Sequence, residues 1–220
     1  MAIIDMDDIV IYGAGGFGKE VACLVERINY PSPKWNLIGF LDDNPDLYGK
    51  TISHFGSCLG GLEYLNNYKS PLSVAIAIGN SIIVRRIVDS INNPNISYPN
   101  LIDVSFYLAD KGTFSIGKGN IIQGPGAVSC DVSIGDFNIL NGSVVIGHDS
   151  MIGSFNSLMP AVRVSGQVSI GNDNFFGVGS IILQRIKVGN HVRLGAGSVL
   201  MTKPQDGQLY IGNPAIKTVF

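Results

Sequence analysis

Counting in sixes from Ile116, the first position of every hexad through Leu200 is apolar, fifteen times in succession, beginning Ile116, Ile122, Val128, Ile134, Leu140, Ile146. The following position is glycine at 117, 135, 147, 153, 171, 177, 189 and 195, and five of these (117, 135, 153, 171, 189) stand eighteen residues apart. Three hexads therefore make one larger unit. A period of eighteen with an apolar residue every six suits a three-sided coil: each side is a short strand, one aliphatic side chain points inward per side, and a turn fills each corner. This predicts a parallel β-helix. Asn120, Asn138, Asn156 and Asn174 also repeat at eighteen, as a polar ladder stacked at one corner does. A sandwich of short strands can carry an apolar residue every six positions, but it does not hold one register through fifteen units. Stacked coils leave open ends and flat faces, so association between copies is expected.

The first hundred residues follow a different rule. A strand (8–12) leads through the glycine turn GAGGFG into a helix from about 17 to 29, and Gly13, Gly15 and Gly18 match GxGxxG. Backbone N–H groups at such a helix start can meet a phosphate, because glycine lets the main chain approach closely. A second strand (36–41) ends in Asp42 and Asp43, where a carboxylate commonly receives a ribose or base donor, and a third (72–78) ends in Gly79 and Asn80 before another helix. Three parallel strand ends then face one crevice. The unit stops near residue 100, too soon for both halves of a dinucleotide site, and a β-helix follows in place of a hydride-transfer domain. A ligand bearing one nucleotide therefore fits better than a dehydrogenase cofactor. Pro94 and Pro99, with polar residues between them, mark the expected linker.

Composition narrows the partners. A formal charge of −2 with no Lys/Arg cluster argues against nucleic acid. Cys23, Cys58 and Cys130 form neither a CxxC clip nor a disulfide framework, which suits a reducing compartment. The start carries Asp5, Asp7 and Asp8 instead of a basic region, and the apolar run 9–12 is too short for a signal peptide or membrane span. A cytoplasmic protein without membrane insertion is expected.

His148, in the stretch IGHDSMIG, is one of three histidines and sits third in its hexad, beside a corner and away from the inward position. Packing does not explain it there. Imidazole is partly neutral near pH 7 and can take a proton from an amine or hydroxyl attacking a thioester. Asp149 can hold the other ring nitrogen, but neighbours on a straight strand point to opposite faces, so it helps only if the corner bends it back. Zinc chemistry on the coil fares badly. His148 and His191 lie 43 residues apart, or about 11 Å along the axis at about 4.8 Å per coil, too far to share one ion within a chain.

The segment from about Val104 to Lys203 is similar to the left-handed β-helix of hexapeptide-repeat acyltransferases. Together, GAGGFGKE, FLDD, AIGN, IGHDSMIG, FFGVGS, LGAGSVL and YIGNPAIK resemble the bacterial nucleotide-sugar acetyltransferases, of the UDP-4-amino-sugar N-acetyltransferase and sialic acid O-acetyltransferase type. The resemblance implies a small N-terminal Rossmann-like parallel α/β domain (1–100) followed by a left-handed parallel β-helix with a C-terminal tail (101–220), assembled as a homotrimer with active sites between subunits. It implies acetyl-CoA as co-substrate, no metal, and a nucleotide-linked 4-amino-4,6-dideoxysugar as acceptor in surface glycan synthesis. His148 would be the general base and Asp149 its modulator. Gly15, Gly16 and Phe17 would line the diphosphate loop, and Asp42, Asp43, Gly79 and Asn80 would surround base and ribose. Gly166, Val178, Gly195, Ala196 and Gly197 would approach the acetyl-CoA arm, with Lys203 or Lys217 near its phosphates. Two positions depart from the pattern: Ser157 stands where several relatives carry a second histidine near the thioester carbonyl, and Phe17 where some carry histidine in the glycine loop. A sialic acid or other sugar hydroxyl remains open as acceptor, as do the nucleotide, the acyl length, and a non-enzymatic nucleotide sensor on the same fold.

Overall fold

A computed structural model describes residues 6–218, so Asp5 of the acidic start and the last two residues lie outside the described part. The chain divides into two compact units, Met1–Val104 and Ser105–Phe220.

The first unit is a five-stranded parallel sheet in the order β3-β2-β1-β4-β5, built from β1 (Asp7–Tyr12), β2 (Trp35–Leu41), β3 (Cys58–Gly60), β4 (Leu72–Ile76) and β5 (Ile96–Ser97). Helices α1 (Gly16–Asn29), α2 (Leu62–Asn67) and α3 (Ser81–Ser90) connect the strands. Ile9, Val10 and Ile11 are fully buried, as an apolar run covered on both faces must be. Strand order reverses between β1 and β4. There Tyr12 pairs with both Leu41 and Ile76, so three carboxyl ends lie level at the switch point, the ligand crevice of open α/β sheets. Two glycines shape the turn after β1. Gly13 has φ +114°, and a Cβ on it would lie 2.6 Å from the Ala77 carbonyl oxygen; one on Gly18 would lie 1.9 Å from the Gly13 oxygen. The stretch between Pro94 and Pro99, expected as linker, instead supplies β5. Leu72 N–H donates to Asn95 O at 3.0 Å, and the Asn93 amide donates to the carbonyls of Leu65 and Tyr68 at 2.7 Å each, which fixes that stretch to the unit.

The second unit is a parallel β-helix whose coils wind left-handed. Face one runs from Ser115–Ile116 to Lys187–Val188, face two from Ile121–Ile122 to Arg193–Leu194, and face three from Phe106–Leu108 to Val199–Leu200, each strand pairing with the one eighteen residues further on except Phe106–Leu108, which pairs twenty residues on with Gly126–Val128. Every first hexad position is buried except Ile116, which is half-buried. Each side also turns a second residue inward, two before the first: Val132, Asn138, Val144, Ser150, Asn156 and Val162 belong to this row, all buried. The expectation of one inward side chain per side is thus corrected to two, because a corner residue can also reach the axis.

Corners recur with a left-handed residue at every sixth position, including Asp131, Phe137, Ser143, Asp149, Phe155 and Ala161, with φ between 53° and 65°. Two ladders hold the corner between faces one and two. Inside, the amide nitrogens of Asn138, Asn156 and Asn174 each donate to the Oδ1 of the asparagine eighteen before at 2.9–3.0 Å. Outside, Lys118 N–H donates to Asp136, Asp136 N–H to Ser154, Ser154 N–H to Asn172 and Asn172 N–H to Asn190, at 2.7–2.9 Å. This outer ladder accounts for the glycines spaced by eighteen: a Cβ on Gly135, Gly153 or Gly171 would lie 2.5–2.6 Å from the polar side chain of the next coil. At the end of the stack, Leu209–Gly212 pairs parallel with Arg193–Leu194, and Ala215–Thr218 folds back antiparallel on it. No helix among the described residues is long and apolar enough to cross a membrane.

Candidate active site

His148 occupies the corner between Val145–Ile146 on face three and Met151–Ile152 on face one. The next residue, Asp149, has φ +55°, and this left-handed step turns its carboxylate back: His148 Nδ1 and Asp149 Oδ2 stand 2.6 Å apart. The bend that a straight strand would forbid is present. A carboxylate only accepts, so Nδ1 carries the hydrogen of this contact, and in the neutral ring the lone pair then lies on Nε2. Both side chains are about half exposed, at 48% and 53%. The backbone beneath is fixed, since Gln167 N–H donates to His148 O at 2.7 Å and the Ser150 hydroxyl to the same oxygen at 3.3 Å.

Gly166 lies one coil beyond His148 in the same column, and a Cβ on it would lie 2.6 Å from His148 Nε2. The imidazole thus fills the volume a side chain at 166 would take. Val178 and the 195–197 segment meet at the other corner bounding face three: Gly197 N–H donates to Val178 O at 2.8 Å, and Val178 is 52% exposed. Gly177 lets those coils approach, as a Cβ there would lie 2.5 Å from Ala196 N. Ser157 begins the strand Ser157–Leu158 on face two and is 5% exposed, so within one chain it shares neither corner. Lys203 is exposed, and Lys217 Nζ donates to Gln205 Oε1 at 3.1 Å.

In the first unit, Gly15 and Gly16 are exposed with open space where a Cβ would be, at the start of a helix whose N-cap supplies no side-chain hydrogen bond. Phe17 is half-buried. The two aspartates differ. Asp42 Oδ2 accepts from Ala14 N–H and Oδ1 from Asn44 N–H, both at 2.9 Å, so this carboxylate ties the glycine turn to the end of β2. Asp43 is exposed and accepts the hydroxyl hydrogen of Tyr12. Gly79 is exposed, and the Asn80 side chain caps α3 by accepting from Ile82 and Ile83 N–H at 3.0 and 3.3 Å. Tyr12, buried in an apolar strand, reads as core in the sequence. Among the described residues no group of three His, Cys, Asp or Glu side chains could hold a metal ion.

A family model, the PglD N-terminal domain, matches residues 8–91. No curated protein matches the chain. Among solved structures, the acetyltransferase domain of PglB from Neisseria gonorrhoeae is similar at TM-score 0.83 and 26% identity, over 96% of this chain and 99% of that one. Its complex with acetyl coenzyme A is similar at TM-score 0.83 and 26% identity, over 97% and 100%. PerB from Caulobacter crescentus, solved with CoA and GDP-perosamine, is similar at TM-score 0.77 and 25% identity, over 99% and 100%. The left-handed parallel β-helix and this end-to-end likeness support an acyltransferase.

Proposed function

We propose that the chain is an acetyl-CoA-dependent N-acetyltransferase acting on the 4-amino group of a nucleotide-linked 4-amino-4,6-dideoxysugar, with His148 as general base. The observation that carries this reading is the His148–Asp149 pair at 2.6 Å, which leaves Nε2 as the acceptor nitrogen beside Gly166. PerB binds a GDP-linked sugar and PglB binds acetyl coenzyme A, which supports the same two classes of ligand here.

The first unit holds the nucleotide: Gly15, Gly16 and Phe17 offer backbone N–H groups to the diphosphate, and Asp42, Asp43, Gly79 and Asn80 frame base and ribose. The second unit holds acetyl-CoA along face three, from Gly166 beside the base to Val178 and Gly195, Ala196 and Gly197, a rise of about 8 Å over fewer than two coils at about 4.8 Å each. The sugar nitrogen attacks the thioester carbon while Nε2 takes a proton from the amine. The tetrahedral intermediate collapses, the C–S bond breaks, and the imidazolium returns its proton to the CoA sulfur. Amide and free thiol result, with no enzyme-bound acyl group. Holding both reactants accounts for roughly 7–11 kcal/mol of barrier lowering.

A homotrimer completes this reading. Ser157 and His148 sit on different parts of one coil, so a Ser157 contact to the thioester at His148 comes from a neighbouring subunit, and exposed Met151, Leu183 and Met201 give such a neighbour apolar surface. The free cysteines suit the cytoplasm, the compartment assigned here.

Gly166→Ala tests the corner. The added methyl pushes the imidazole aside, and kcat is expected to fall about 10–100-fold, as misplacement of a catalytic group by up to about 1 Å does. The melting temperature should stay within a few degrees, since an exposed side chain yields to the methyl. An unchanged kcat would remove Gly166 from the site. The acceptor atom is tested by treating the acetylated product with alkaline hydroxylamine: an amide survives, whereas loss of the acetyl group would mark an ester and move the protein to O-acetylation.

A further inference from the structure

Asp42 and Asp43 are adjacent, yet the fold engages them differently. Both Asp42 oxygens accept from backbone N–H groups, while Asp43 accepts from a side chain 31 residues earlier, the Tyr12 hydroxyl. We propose that Tyr12 is a positioning residue for nucleotide recognition: its hydroxyl orients Asp43 as the carboxylate that reads a hydroxyl or N–H donor of a nucleoside diphosphate, while Asp42 holds the glycine turn. This inference rests on the nucleotide-sugar reading above.

Tyr12 closes β1 at the switch point and is 1% exposed, between Leu41 and Ile76. The strand before it is Ile9, Val10 and Ile11, so the packing asks only for an apolar side chain. Phenylalanine would satisfy that demand, and a phenol adds a polar atom whose burial without a partner is costly. The hydroxyl is directed to an exposed aspartate at the mouth of the crevice. Burial first, and then the hydrogen bond and negative charge of Asp43, push the Tyr12 pKa far above its usual value, so the phenol remains a donor throughout the working range. Held at Oδ1, Asp43 presents Oδ2 to a ligand in one orientation. A carboxylate so fixed loses less side-chain freedom on binding than a free one.

The test uses Tyr12→Phe, Asp43→Asn and the double variant, with UDP, dTDP and GDP as probes by calorimetry. Nucleotide-sugar kinetics and thermal melts accompany the titrations. The parent should bind one nucleotide best. Tyr12→Phe should weaken that binding about tenfold, raise KM for the matching nucleotide sugar by a similar factor, change kcat less than twofold, and leave the melting temperature within a few degrees. Adding Tyr12→Phe to Asp43→Asn should then cost little more, because the hydroxyl acts through the carboxylate. If Tyr12→Phe binds as tightly as the parent while Asp43→Asn does not, or if the two losses simply multiply, Tyr12 has no positioning role and the nucleotide-sugar reading stands. If the parent binds none of the three probes, the nucleotide-sugar reading itself falls and takes this inference with it.

Discussion

His148→Ala is expected to lower kcat about 10²–10⁴-fold, the usual contribution of a positioned general base, with the fold and nucleotide binding kept. The side chain is 48% exposed at a corner, and the hydrogen bonds that hold the corner engage its backbone oxygen, which alanine retains. Residual rate should persist, because the approximation of amine and thioester does not depend on the imidazole. The companion Asp149→Asn keeps an acceptor for Nδ1–H but removes the charge, so its loss should be smaller. Steady-state kinetics at saturating acetyl-CoA, with a thermal melt on each variant, check both statements. A His148→Ala protein with parental kcat would remove His148 from the chemistry.

Asn156→Ala is expected to have the largest effect on stability. Asn156 is fully buried, its Oδ1 accepts from both N–H and Nδ2 of Asn174, and its own Nδ2 donates to Asn138 Oδ1 and Gly171 O. Alanine leaves the buried Asn174 backbone N–H without that acceptor and strips one donor from the half-buried Gly171 O. At about 1–3 kcal/mol for each of these two groups, the loss sums to roughly 2–6 kcal/mol. For a chain of this size that lowers the melting temperature by about 4–24 °C, at about 2–4 °C per kcal/mol. Gln167→Ala, at an exposed corner, should shift it by no more than a degree or two. Calorimetric melts of both variants decide the matter, and a shift below about 2 °C for Asn156→Ala would show that the inner ladder does not hold the stack.

Much of this architecture is legible from periodicity. Inward aliphatics at every sixth position and asparagines at every eighteenth carry the register because each stacks on its own kind. Of the second inward row only the asparagines stand out, since Val132, Val144 and Ser150 are chemically mixed and leave no hydrophobic period. Left-handed corners are equally hidden: Phe137, Phe155 and Arg185 hold φ of 53–66°, where local preference favours glycine or asparagine, because backbone bonds to neighbouring coils set the turn. At the site, the His148–Asp149 stretch stands out as polar residues where packing explains nothing. The closeness of Gly166 to Nε2 depends on stacking across eighteen residues. The distinct duties of Asp42 and Asp43 depend on a tyrosine that sequence alone assigns to the core.

The measurement that bears most directly on the proposed function is release of free CoA thiol from acetyl-CoA with UDP-, dTDP- and GDP-linked 4-amino-4,6-dideoxysugars, with sialic acid as the hydroxyl control. Turnover of one amino sugar is expected, strongly reduced in His148→Ala. Turnover of sialic acid alone, or none with any amino sugar, would contradict the proposed function.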